Sequence, residues 1–313
     1  MITERPDRVS VIDPITPAIE RAKIMLFRPF ELKRWFVIGF CAWLAYLGSG
    51  GGGGRGGNLN VGDHRGGFEV REALNEAREF VCDNLHWIIP VTVVVFVFIT
   101  TIWLVITWLN SRGRFMFLHC VAENKAEVVN PWSKFKKHAN NLFLFRIVLC
   151  LISLVVVGLP VLGMVFLIIM AVSKTGLYAI SIPGIIILGL VIFVISITMF
   201  LVKKFTIDFV MPIMFLRTVS CVAGWREFMT ILSVNKLRFA LYLLFQIVIT
   251  MAIGTIIFIG ACIGCCFCCV SILLLVPYIG TVILLPFAVF KRSYSLYYLK
   301  QFGPEFDVFS PAV

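Results

Sequence analysis

Asp208 is the residue most able to do chemistry in this chain. It lies in the run from Phe205 to Pro212, where it interrupts an apolar stretch at the end of a predicted membrane segment. An ionisable side chain at membrane depth is a functional hypothesis in its own right, because a charge there is costly to keep. Pro212 has no N–H to offer the carbonyl of residue 208, so a regular helix leaves that carbonyl free. Lys204, four residues back, offers the plainer role of an i,i+4 ion-pair partner. Arg146 and Gln246 are the other polar residues in or beside apolar runs. An arginine there can snorkel, and an amide can bond across helices. Arg114, Arg217 and Arg226 fall near the same predicted membrane edge, with Trp132 and Trp225 alongside. These six residues, Asp208 included, form the candidate functional face.

Other reactive types carry weaker signals. Cys262, Cys265, Cys266, Cys268 and Cys269 crowd one turn between apolar runs, with no charged neighbour to lower a thiol pKa. A zinc site calls for two separated pairs with a polar loop between them, so small apolar packing is the expectation and no metal is assigned. His64, His86, His119 and His138 share no ligand spacing. The glycine-rich run Gly48 to Gly67 lacks the Gly-Lys-Ser/Thr ending of a phosphate loop and reads as a linker. No Gly-x-Ser-x-Gly elbow and no carboxylate pair within a span is present. The expectation is therefore a non-enzymatic chain without a cofactor.

The elements that must position these residues are membrane helices. Of 313 residues, 60% are apolar and 14% charged, where soluble domains carry about 25% charged residues. The apolar residues are blocked into long runs, and the charges sit in the gaps. A hydrocarbon core of about 30 Å needs about 20 helical residues. Six spans follow: Trp35–Ser49, Trp87–Leu109, Leu142–Val172, Pro183–Val202, Phe239–Gly260 and Val270–Phe290. The first is short and the third is long, with Pro160 near its middle. If the N-terminus is cytoplasmic, 23 Lys and Arg residues lie inside and five outside. That asymmetry is a strong positive-inside signal. It also reads the net charge of +11 as membrane-edge charge and not as a nucleic-acid surface.

Amphipathic segments precede the outbound spans. Asn130 and Pro131 open one, with Asn130 as cap; Trp132, Phe135, Ala139 and Leu142 form its stripe. A second starts at Gly224 with Trp225, Phe228 and Leu232. Met116-Phe117-Leu118 and Met214-Phe215-Leu216 lie upstream of the two. A weaker third begins at Thr16 and Pro17, with Ile19, Ala22 and Leu26 on one face. The pattern predicts three parallel units, each an in-plane helix, an outbound span, an outer loop and a return span. A further amphipathic helix is expected over residues 70–85. The fold class is all-α: a single polytopic transmembrane bundle of about six helices in three hairpins. Residues 1–34 form a cytoplasmic leader, 35–109 the first hairpin, 110–202 the second, and 203–313 the third with the tail.

The motifs Leu26-Phe27-Arg28-Pro29-Phe30 with Trp35, Ser111-Arg112-Gly113-Arg114-Phe115, and Asn130-Pro131-Trp132 carry a resemblance. So do Phe209-Val210-Met211-Pro212, Trp225 with Phe228, and Gln301-Phe302-Gly303-Pro304. On these the chain resembles uncharacterised prokaryotic six-span membrane proteins. They are distantly similar to the membrane domain attached to some bacterial glycerophosphodiester phosphodiesterases. The resemblance implies a helical inner-membrane module; the phosphodiesterase catalytic domain itself is absent. The leading reading is a module that binds membrane lipids or a protein partner at its cytoplasmic face. A transporter or channel is second and a membrane-bound lipid enzyme third. A water-accessible cavity lined by Asp208, Arg146 and Gln246 together would put the second first; an apolar, filled bundle would support the leading reading.

Overall fold

The computed structural model describes residues 9–48, 84–172, 178–265 and 276–309. All elements among them are helical. In chain order they are α1 (Ile15–Phe27), α2 (Leu32–Tyr46), α3 (Leu85–Glu123), α4 (Val129–Lys134), α5 (Lys136–Val172) and α6 (Tyr178–Phe205). A π-helical turn, Thr206–Val210, leads into α7 (Met211–Arg217). Then come α8 (Cys221–Val234), α9 (Lys236–Cys265), α10 (Pro277–Ile283), α11 (Leu285–Lys300) and a 3-10 turn, Pro304–Phe306. The glycine-rich run beyond Gly48, the amphipathic helix expected over 70–85, Lys174 and most of the cysteine cluster lie outside the described residues.

Among the described residues, four helices are long and apolar enough to cross a membrane: Leu85–Glu123, Lys136–Ile169, Ile182–Arg217 and Lys236–Cys262. The first has 39 residues, about 58 Å at 1.5 Å per residue, so it crosses a bilayer and continues well beyond it. Its two halves differ sharply. Phe96 is 68% exposed, whereas Phe115 and Leu118 are fully buried. An apolar surface as large as the outer halves of these helices belongs against lipid. The inner halves gather into a packed core at one end. Burial there gains roughly 1.5–3 kcal/mol per large side chain, a gain unavailable between helices that merely exchange lipid for leucine.

The basic segments meet at this packed end. Arg21 donates to the carbonyls of Val121 and Ala122, and Arg34 to that of Asn124. Ser10 and Gln301 exchange hydrogen bonds, and Tyr298 reaches the Arg238 carbonyl. Both ends of the described chain, the α3–α5 connection and the α7–α9 connection thus share one side.

The two outermost predicted spans look different from the other four. α2 has 15 residues and lies against the inner half of α3. Asn110 donates to the carbonyls of Ala45 and Leu47, and Gly48 faces Ile106. Trp35–Tyr46 therefore ends level with Ile106, and its buried residues Ile38, Cys41, Ala42, Leu44 and Ala45 pack on protein. At the other end of the chain, the described part of Val270–Phe290 is broken at Leu284, between α10 and α11. Tyr278 of α10 donates to the Phe36 carbonyl and contacts Trp43 at 6.2 Å. Pro160 does not interrupt α5, which runs unbroken from Lys136 to Val172; membrane helices tolerate proline where the freed carbonyl finds another partner.

The amphipathic segments form, with stripes turned inward. Phe135 stacks on Phe215 at 4.9 Å and on Phe115 at 6.1 Å. Phe228 stacks on Phe209 at 5.3 Å, with Phe239 edge-on to both. Such pairs add about 0.5–1.5 kcal/mol beyond area burial. Both phenylalanines are thus core residues, because α7 and the end of α3 offer aromatic faces nearer than the lipid headgroups. Two sequence details are corrected. Asn130 is inside α4, bonded to Glu127, and the cap position is Val128. α8 begins earlier than Gly224, at Cys221, with Ser220 as its cap. In α1 the buried face is Ala18, Ala22, Met25 and Leu26, and Ile19 is exposed.

Candidate functional site

Asp208 sits in the π-helical turn between α6 and α7 and is 7% exposed. Its Oδ2 accepts from Lys204 Nζ at 2.8 Å and from the Tyr242 hydroxyl at 3.0 Å. Gln246 Nε2 donates to the Tyr242 oxygen at 2.9 Å, so α9 supplies a relay four residues long. The Lys204 pairing expected from spacing is present, and Tyr242 reinforces it.

The π turn shifts the orphaned carbonyl by one residue. The Met211 N–H bonds the Thr206 carbonyl, five residues back. In that register the partner of Ile207 would be Pro212, which has no N–H. Arg292 of α11 takes the vacated acceptor, its Nη1 lying 2.8 Å from the Ile207 carbonyl. The sequence reading placed the free carbonyl at residue 208 because it assumed a regular α helix. Thr206 anchors the turn, accepting from Trp225 Nε1 at 3.1 Å.

A second polar knot lies beside the first. Asn110 gives both amide hydrogens to the end of α2. Its Oδ1 accepts from Arg114 Nε at 2.7 Å and from Arg146 Nη1 at 2.6 Å. Arg146 also donates to Ser111 Oγ at 3.1 Å. Two guanidinium groups thus share one neutral oxygen.

Two cavities join these knots. The inner one, about 270 Å³, is lined by Arg114, Lys204, Asp208, Gln246, Lys291 and Arg292 among others. The outer one, about 640 Å³, is lined on its polar side by Arg114, Arg146, Lys203, Lys204 and Thr206. Arg114, Lys204 and Ile207 belong to both. Among the described residues, Arg114, Lys204, Lys291 and Arg292 thus share the inner cavity with the carboxylate of Asp208, and Arg146 and Lys203 add two cations in the outer one. Arg292 is 7% exposed, and its Nε and Nη2 have no hydrogen-bond partner among the described residues; Gln246 Oε1 has none either. Burial lowers the affinity of Lys291 and Arg292 for their protons, with Lys204 adding to the effect at Lys291 and Asp208 opposing it at Arg292. Clustered buried cations repel and are poorly solvated, so the centre is matched to a negatively charged ligand.

The six candidates separate in space. Asp208 and Arg114 come together at the inner cavity. Arg217 pairs with Glu227 at 2.9 Å and lies over Phe306, while Arg226 is exposed. Trp132 and Trp108, edge to face with each other, form a corner around Arg112, 4.7 and 4.4 Å from its guanidinium carbon. Trp225 holds the π turn. Sequence reasoning missed Asn110, Tyr242, Lys291 and Arg292. Lys291 and Arg292 follow an apolar run directly, as any membrane-edge pair does, so their pattern gave no reason to place them inside. Tyr242, four residues before Gln246, was the one available signal.

No curated protein and no solved structure matches the chain, so the phosphodiesterase-domain resemblance gains no support from comparison. One family model covers residues 9–278, most of the length. The chain belongs to the family described as "Family of unknown function (DUF7544)".

Proposed function

We propose that this protein is a non-enzymatic module of a prokaryotic inner membrane that holds an anion in a basic centre at the cytoplasmic edge of the bilayer. The observation that carries this reading is the charge balance of the two adjoining cavities. Among the described residues, six Lys and Arg side chains line the two cavities against the one carboxylate of Asp208, four of them in its own cavity, and two Arg292 nitrogens point at no acceptor. A guanidinium fork is the protein group best suited to phosphate or carboxylate oxygens. Ligand binding moves inside from the surface of the amphipathic helices, because Phe135 and Phe228, the aromatic residues of their stripes, are buried in the core and not free to anchor in the headgroup layer.

We further propose that both termini are cytoplasmic, on the strength of the Lys and Arg asymmetry and the gathering of the basic segments at one end. A reporter fused after Val313 should read inside; an outside reading would contradict this orientation.

The binding test is thermal unfolding of the purified protein in phosphate against chloride at matched ionic strength. Phosphate should raise the Tm of the wild type, since a ligand at 100 times its Kd stabilises by about 2.7 kcal/mol. Arg292→Met should lose the rise, and so should Arg146→Gln, which is less buried and safer for folding. No rise in the wild type, or an equal rise in both variants, contradicts the reading. A transporter of small anions is the second reading, favoured by two basic cavities that share Arg114 and Lys204 in their walls. Phosphate flux into proteoliposomes would select it over a binding module.

A further inference from the structure

We infer that the anion is the headgroup of an anionic phospholipid, whose acyl chains lie in the apolar limb of the outer cavity. This inference rests on the anion-binding reading above and names the class of ligand. The outer cavity is amphipathic along its length. One end carries Arg114, Arg146, Lys203 and Lys204; the other is walled by Ile99, Ile102, Trp103 and Ile106 of α3, with Leu149 of α5 and Phe200 of α6. Its volume of about 640 Å³ falls within the range of small-molecule sites, about 300–1,000 Å³.

The apolar limb belongs to the lipid-facing part of the molecule. Ile99, Ile102, Trp103 and Phe200 are all exposed, and they lie on helices whose apolar windows are unburied. The limb is thus open sideways to the bilayer, and Leu47 and Gly48, just past the end of α2, complete the cavity wall beside Ile106. A free inorganic anion would occupy only the basic end. A lipid entering between α3, α5 and α6 satisfies both ends at once, with phosphate on the cations and hydrocarbon against α3.

Charge selects among lipids. Among the described residues, Asp208 is the only acidic side chain lining either cavity, and Lys204 and Tyr242 already engage it. No carboxylate is left for the ammonium of a zwitterionic headgroup. The four cations of the outer cavity instead complement a headgroup of net negative charge, at an edge where each basic residue attracts anionic lipid by about 1 kcal/mol.

The test compares three probes on the full chain in detergent: dioleoyl phosphatidylglycerol, dioleoyl phosphatidylcholine and inorganic phosphate. Binding is read by native mass spectrometry for the lipids and by calorimetry for phosphate. Phosphatidylglycerol should bind about tenfold or more tightly than phosphatidylcholine. Ile102→Trp, which fills the apolar limb, should weaken phosphatidylglycerol by about tenfold and leave phosphate within about twofold. Leu149→Trp fills the same limb from α5 and serves if Ile102→Trp does not fold. If phosphate binds but phosphatidylglycerol is indifferent to both plugs, or the two lipids bind equally, the lipid inference is overturned and the anion reading stands. If neither phosphate nor phosphatidylglycerol binds, both fall together.

Discussion

Gly113→Val should abolish the folded state. A Cβ at residue 113 would lie 2.4 Å from Leu44 Cβ, 2.5 Å from the Leu44 carbonyl carbon and 2.6 Å from the Ala45 nitrogen. Two of those atoms are backbone, so no side-chain rotation relieves the clash and α2 must move away from α3. The movement would unpack Cys41, Ala42 and Ala45, and strain the Asn110 bonds to the end of α2. Overpacking ordinarily costs about 1–3 kcal/mol when neighbours can yield; a backbone neighbour places even Gly113→Ala at the top of that range, and valine beyond it. Gly158 and Gly189 supply the control, with open space around the added carbon. Alanine at either should be neutral or stabilising by up to about 1 kcal/mol through helix propensity. The measurement is the detergent-solubilised, monodisperse fraction and its Tm. Normal yield and Tm for Gly113→Val would refute the α2–α3 contact.

Asp208→Ala should destabilise by about 3–5 kcal/mol, the usual cost of stripping one partner from a buried charge pair. Lys204 and the Tyr242 hydroxyl lose their acceptor, and the two cavities keep six cations and, among the described residues, no carboxylate of their own. Asp208→Asn retains the shape and should cost less. The same change carries a second, opposite consequence. The internal carboxylate competes electrostatically with an incoming anion, so the folded fraction of Asp208→Asn should bind phosphate more tightly, by about tenfold for a change of 1.4 kcal/mol. A purely structural Asp208 would lower stability and leave phosphate affinity where it was. Arg226→Ala, on an exposed position, should stay within about 0.5 kcal/mol of wild type.

What could be read from the sequence follows from what is local. The long apolar runs, the flanking Lys and Arg residues and the Asp208–Lys204 spacing are local, and four membrane-length helices and the ion pair appear accordingly. The amphipathic stripe at Trp225 and Phe228 marks a helix correctly, but its direction is not local. The same stripe suits a headgroup layer or an aromatic core, and only the neighbouring Phe209 and Phe239 decide for the core. Arg114 and Arg292 are far apart in the chain and meet only because α1 and α11 pack together and bring both ends of the described chain beside α3. The π register was equally hidden. Pro212 announces an orphaned carbonyl, but a one-residue shift in hydrogen bonding decides which one, and Arg292 is what accepts the shift.

Whether the basic centre holds an anion decides what this protein does. The most direct measurement is a high-resolution cryo-electron microscopy or crystallographic map of the full protein prepared in phosphate. The expected result is tetrahedral density in the adjoining cavities, within about 3 Å of Arg292 Nε or Nη2 and in contact with Arg114 or Lys204. A cavity filled by rearranged side chains, or with Arg292 paired to a carboxylate of the protein itself, would contradict it.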